Sequence, residues 1–146
     1  MLSMADHQDT KTPKELKEFK EIPLEVDRVA KQVVDAAFKV HKVLGPGLLE
    51  LIYEKCLMHE LKLRNLRVAS QVELPIVYEG LRLDGGLRID MIVEDSLIVE
   101  LKAVEVMHPV FEAQLISYLR LTGKRLGLLI NFNVPVTKNG IRRIVL

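Results

Sequence analysis

Asp90, Glu100 and Lys102 interrupt two apolar runs of strand character in LRIDMIVEDSLIVELK, residues 87–102. A charged side chain on a half-buried sheet is costly unless it is paired or coordinates something. Side chains alternate faces along a strand, so parity shows how these three are arranged. The odd positions Ile89, Met91, Val93, Leu97, Val99 and Leu101 are all apolar, while Arg88, Asp90, Glu100 and Lys102 share even parity. A three-residue loop at Glu94-Asp95-Ser96 pairs Val93 with Leu97 and Ile92 with Ile98. That register sets Asp90 directly across from Glu100 and turns every odd residue into the core. Opposed carboxylates with Cβ atoms about 5 Å apart repel, and a divalent cation between them removes the conflict. Magnesium takes hard oxygen ligands, commonly one or two carboxylates with waters and a substrate phosphate. Lys102 projects from the same face, where its ammonium would steady a phosphate oxygen or help orient a metal-bound water. The chemistry expected is metal-assisted hydrolysis. The competing reading is a surface ion-pair cluster, although Lys102 neutralises one carboxylate at most.

The elements that must position these groups follow from periodicity. Val26, Val29, Ala30, Val33, Ala37, Val40 and Leu44 recur at helical spacing and stop at Gly45-Pro46-Gly47. A second helix is expected from Leu48 to Leu63. RVASQVELPIVYEG reads as a strand that turns at Glu79-Gly80. LRLDGGLRIDMIVED follows, with a bend or bulge expected at Gly85-Gly86. SLIVELKAVE is a third strand. PVFEAQLISYLRLTG returns to helical period, with Pro109 suited to a first turn and Gly123 to a stop. RLGLLINFNV is apolar on both parities, as a strand buried on both faces would be, and GIRRIVL adds an edge strand. Residues 1–23 read as a charged extension and residues 24–146 as one domain. The order α-α-β-β-β-α-β-(β) describes an α/β (α+β) domain with a mixed sheet and flanking helices.

The chain of 146 residues is long enough for a real core, and 49% apolar with 28% charged residues argues against global disorder. Net charge is +1, from 21 basic against 20 acidic residues, so any grip on nucleic acid rests on a local basic patch or on metal. Trp is absent, which disfavours a stacking platform for single strands. The lone Cys56 excludes an internal disulfide and packs against the core in the simplest reading. His7, His41, His59 and His108 lack zinc-ligand spacing. No run approaches the ~18 apolar residues of a membrane span, and MLSMADHQDT has no signal pattern. A cytoplasmic location without membrane association is the expectation. Arg64, Arg67, Arg82, Arg88, Arg120, Lys124, Arg125, Arg142 and Arg143 are candidates for a phosphate-binding surface, and a solvated surface explains them equally. Asp84 stands in an Asp-Gly turn signal and is read as structural.

Asp90, then Glu100-Leu101-Lys102, preceded by a helix with an acid and followed by one bearing Gln114 and Tyr118, resembles the PD-(D/E)xK nuclease superfamily. Within it the chain is similar to the GxxExxY family, through Gly47-Leu48-Leu49-Glu50-Leu51-Ile52-Tyr53 and through the blocks EAQLISYLRLTG and GLLINFNVP. The resemblance spans roughly residues 24–146. It implies a restriction-endonuclease-like α-β-β-β-α-β core and a Mg²⁺- or Mn²⁺-dependent nuclease acting on nucleic acid, with DNA the expected substrate. Asp90, Glu100 and Glu50 would hold the metal, with the Leu101 carbonyl a further ligand and Lys102 the catalytic lysine. Gln114 would support the site, with Tyr118 one turn on; Tyr53 and Glu54 share the face of Glu50, Glu54 being a rival for its role. Phe111 stands where relatives often carry histidine. The alternative is a catalytically silent, nuclease-like binding or assembly module, for which a homodimer is considered.

Overall fold

The computed structural model describes residues 21–146, so the extension expected over residues 1–23 lies outside the described residues but for its last three. Helix α1, Leu24–Leu44, carries Glu25 and Asp27 in its first turn and His41 and Lys42 in its last, matching the helix dipole at both ends. It buries Ala30, Val33, Ala36, Ala37 and Val40 along one stripe and ends at Gly45, where φ is 69°. Helix α2, Glu50–Leu63, starts two residues later than the periodicity suggests. The Leu48 N–H donates to the Tyr53 hydroxyl at 3.1 Å, and Leu49 is extended ahead of the first turn.

Strands β1, Val68–Tyr78, and β2, Leu81–Val93, form a long hairpin. Glu79 and Gly80 join them with φ of 48° and 82°, the positive pair that a two-residue turn requires. Strand β3, Leu97–Lys102, follows the expected three-residue loop. Helix α3, Pro109–Thr122, crosses to β4, Leu126–Asn131. A 3-10 turn, Thr137–Gly140, leads to β5, Ile141–Val145. Among the described residues the sheet order is β1-β2-β3-β4-β5. The β3–β4 pair is parallel and the others antiparallel, so the sheet is mixed. Helices α1 and α2 cover one face and α3 the other, and β4 is buried along its whole length.

The bulge expected at Gly85-Gly86 is present. Leu74 pairs with Leu87 but Ile76 pairs with Leu83, so residues 84–86 stand against Pro75 alone. Proline offers no N–H to the ladder, and a Cβ on Gly86 would lie 2.8 Å from the Ile76 side chain.

The odd residues do not all face one way. Met91, Val93, Leu97, Val99 and Leu101 pack against α1 and α2, whereas Leu87 and Ile89 join Ile98, Leu115, Leu119 and Leu129 under α3. β1 changes sides in step, with Val68 in the first core and Val72, Leu74 and Ile76 in the second. The ribbon turns over between the pairs Ser70–Met91 and Val72–Ile89. There Gln71, across from Asp90, adopts φ 49°, a left-handed conformation that costs a non-glycine residue roughly 1–2 kcal/mol. Among the described residues no helix is long and apolar enough to cross a membrane.

Candidate active site

Asp90 lies where the sheet opens. The β2–β3 ladder runs through Val93–Leu97, Ile92–Ile98 and Met91–Val99 and stops one pair short of Asp90 and Glu100. Side chains take over from backbone at that point. The Leu101 N–H donates to Asp90 Oδ2 at 2.8 Å, and the Asp90 N–H donates to Glu100 Oε1 at 3.2 Å. The two acids thus sit in the split between neighbouring strands, each bonded to the other's strand.

Their electrostatics are uncompensated. Glu100 is 4% exposed, and burial first, then the charge of Asp90, pushes its carboxyl from 4.5 up to about 9. The Lys102 ammonium opposes this only weakly; it rests over the Phe111 ring, 4.4 Å from the centroid, a favourable cation–π contact. Phe111 therefore touches the lysine directly. Glu50 opens α2 and is also raised, by burial first and then by Asp90, with Lys102 opposing and Glu54 adding. Asp90 and Lys102 thus lie within electrostatic reach of both Glu50 and Glu100. The phenol of Tyr118 is raised by burial and then by Glu100 and Asp90, which puts α3 beside the same pair. Gln114 is exposed on α3 and makes no hydrogen bond to any of these groups.

Tyr53 plays a different part from its expected place beside Glu50. It is fully buried and stacks on Phe132 with centroids 4.6 Å apart. Its hydroxyl donates to the Gly45 carbonyl at 2.6 Å and accepts from the Leu48 N–H. It moors the Gly45–Leu48 loop and so fixes where α2, with Glu50 at its head, begins. Glu54, one turn further on, is 8% exposed and accepts from Gln71 Nε2 at 2.8 Å.

Two contributors were missed by pattern reading. Gln71 reaches Glu54, Asp90 and Arg88 at once; its signal, one polar residue at a strand position facing Asp90, is visible only once register is known. Asn131 is buried in an apolar strand, a placement that demands hydrogen-bond partners. Its side chain accepts from the Val104 N–H at 3.1 Å and donates to the Val104 carbonyl at 2.9 Å. With the Phe132 N–H donating to the Lys102 carbonyl, this pins the chain just after Lys102.

Most of the basic residues considered for phosphate are engaged elsewhere. Arg64 pairs with Asp35 and Glu60, Arg67 with Glu94, Arg82 with Asp84, Lys124 with Asp95, Arg142 with Glu112, and Arg143 with Asp27. The Arg82 contact holds Asp84 in the hairpin bulge. Cys56 is a free thiol packed against the core, and buried His41 bonds to the Val134 carbonyl.

Among the described residues no three Asp, Glu, His or Cys side chains gather closely enough to hold a metal ion as a closed set. Two adjoining carboxylates with hard oxygen donors, little offset by Lys102, fit a cation that keeps several waters, as magnesium does.

A mixed sheet between helices, split over a buried and a half-buried acid with a lysine one pleat on, defines an α+β fold of the restriction-endonuclease type. Residues 27–144 match the family model of the PD-(D/E)XK nuclease superfamily, and the chain belongs to that superfamily. Membership points to nuclease function and nucleic-acid binding, and these nucleases typically use divalent metals. No curated protein and no solved structure matches the chain.

Proposed function

We propose that the protein is a Mg²⁺- or Mn²⁺-dependent nuclease of the GxxExxY type that hydrolyses phosphodiester bonds in DNA. The observation that carries this reading is the Asp90–Glu100 pair, each acid accepting a backbone N–H of the other's strand, with the Glu100 carboxyl raised by burial and by Asp90 and little relieved by Lys102. Asp90 and Glu100 would hold the metal, with Glu50, whose carboxyl feels the charge of Asp90, contributing through water. The bound ion would supply an activated water and Lewis acidity at the phosphate. Lys102 presents its ammonium to a phosphate oxygen, and the Phe111 face limits the directions that ammonium can take. Gln114, exposed on α3, supports the substrate side, and Tyr118 from the same helix lies in the field of the carboxylate pair. The mooring role of Tyr53 gives the last residue of the Gly47-to-Tyr53 motif a physical sense, since its hydroxyl holds the loop that leads into the helix bearing Glu50.

Asp90→Asn and Lys102→Ala are expected to lower Mn²⁺-dependent cleavage of an oligonucleotide at least ~100-fold with circular dichroism unchanged. Asp90→Asn should also weaken Mn²⁺ binding measured by calorimetry. Wild-type protein that neither binds Mn²⁺ nor cuts single- or double-stranded DNA or RNA refutes the proposal. The catalytically silent module is the second reading, favoured by the engagement of Lys102 with Phe111.

A further inference from the structure

We infer that Gln71 is a positioning residue of this site, setting the bearing of the Asp90 carboxylate through a side-chain amide shared with Glu54. The inference rests on the nuclease reading above and concerns how its metal-binding pair is held.

The whole carboxamide is committed to this corner of the molecule. Nε2 donates to Glu54 Oε1 at 2.8 Å and lies 3.5 Å from Asp90 Oδ1, while Oε1 accepts from Arg88 Nε at 2.7 Å. Asp90 Oδ2 is already held by the Leu101 N–H, so the second oxygen is the one whose direction Gln71 sets. Arg88 in turn prevents the amide from flipping, because its guanidinium can only donate. Gln71 thus ties a strand acid to a helix acid across the gap between β1 and α2.

The backbone supports the same assignment. Gln71 holds φ 49° at the point where the ribbon turns over, a conformation that glycine adopts without strain. A glutamine there is explained by what its side chain reaches. Glu54 supplies the other half of the argument. It is a buried carboxylate, and Gln71 is the hydrogen-bond donor that the structure provides for it. Partners that orient a metal ligand contribute about 10- to 100-fold in metal affinity.

Gln71→Gly separates positioning from folding, since it keeps the backbone conformation and removes the amide. Relief of backbone strain offsets part of the cost of leaving buried Glu54 without this donor, so the thermal midpoint is expected to fall modestly with circular dichroism unchanged. Its Mn²⁺ dissociation constant, measured by calorimetry with the metal alone, should rise about 10- to 100-fold, and kcat should fall while KM for an oligonucleotide holds. Gln71→Asn, which tolerates a positive φ but is one methylene too short, should show the same pattern and covers a glycine variant that folds poorly. Mn²⁺ affinity and kcat undiminished in both variants overturn the inference alone. Wild-type protein that binds no Mn²⁺ overturns it together with the nuclease proposal.

Discussion

Tyr53 shows how a single residue can serve a site without entering it. Its ring is stacked on Phe132 and its hydroxyl bridges Gly45 and Leu48, so its effect on Glu50 passes through the loop between them. Tyr53→Phe keeps the stacking and removes two hydrogen bonds. It is expected to destabilise the fold by about 1–2 kcal/mol in urea titrations and to reduce cleavage, because the start of α2 loosens. Parity singled out Asp90, Glu100 and Lys102 from sequence because alternation along a strand is a local rule. The hydrogen bonds of Tyr53 to Gly45, of Gln71 to Glu54 and Arg88, and of Asn131 to Val104 span 8 to 27 positions in sequence, which periodicity does not encode.

Elements bring those partners together, and their irregularities matter most. The bulge opposite Pro75 was legible, since Gly-Gly in a strand and a proline on the facing one both interrupt the ladder. The turnover at Gln71 was not, because nothing in the residue type announces a left-handed glutamine, and continued alternation misassigned Ile89. At the far side of the site, the 3-10 turn packs closely on the end of β4. A Cβ on Gly140 would meet the Asn131 carbonyl oxygen at 2.1 Å, and a backbone atom cannot step aside. Gly140→Ala is expected to cost about 1–3 kcal/mol in chemical denaturation. Because Asn131 pins the segment after Lys102, cleavage should fall as well.

At the scale of the whole molecule, the buried Glu100 carboxyl beside Asp90 works against folding as pH rises unless a cation joins the pair. Glu100 titrates near 4.5 unfolded and at about 9 folded. A raised carboxyl contributes stability that is complete below the lower value and lost as pH climbs through the higher one. The metal-free protein should therefore lose thermal stability between about pH 5 and pH 9, a slope that Glu100→Gln should lack. At pH 8 that variant is expected to be the more stable by on the order of 1–3 kcal/mol, and added Mn²⁺ should stabilise wild type and not the variant. A wild-type curve parallel to that of Glu100→Gln across this range would contradict the burial argument. By itself the sequence determined the element order, the mixed sheet and the acid–acid–lysine pattern, because strand and helix periods are local consequences of backbone geometry. The tertiary structure decided that the strands part at Asp90, that a left-handed residue turns the ribbon over there, and which helix acid each strand residue meets. Those outcomes depend on competition among distant groups for the same donors and the same buried volume.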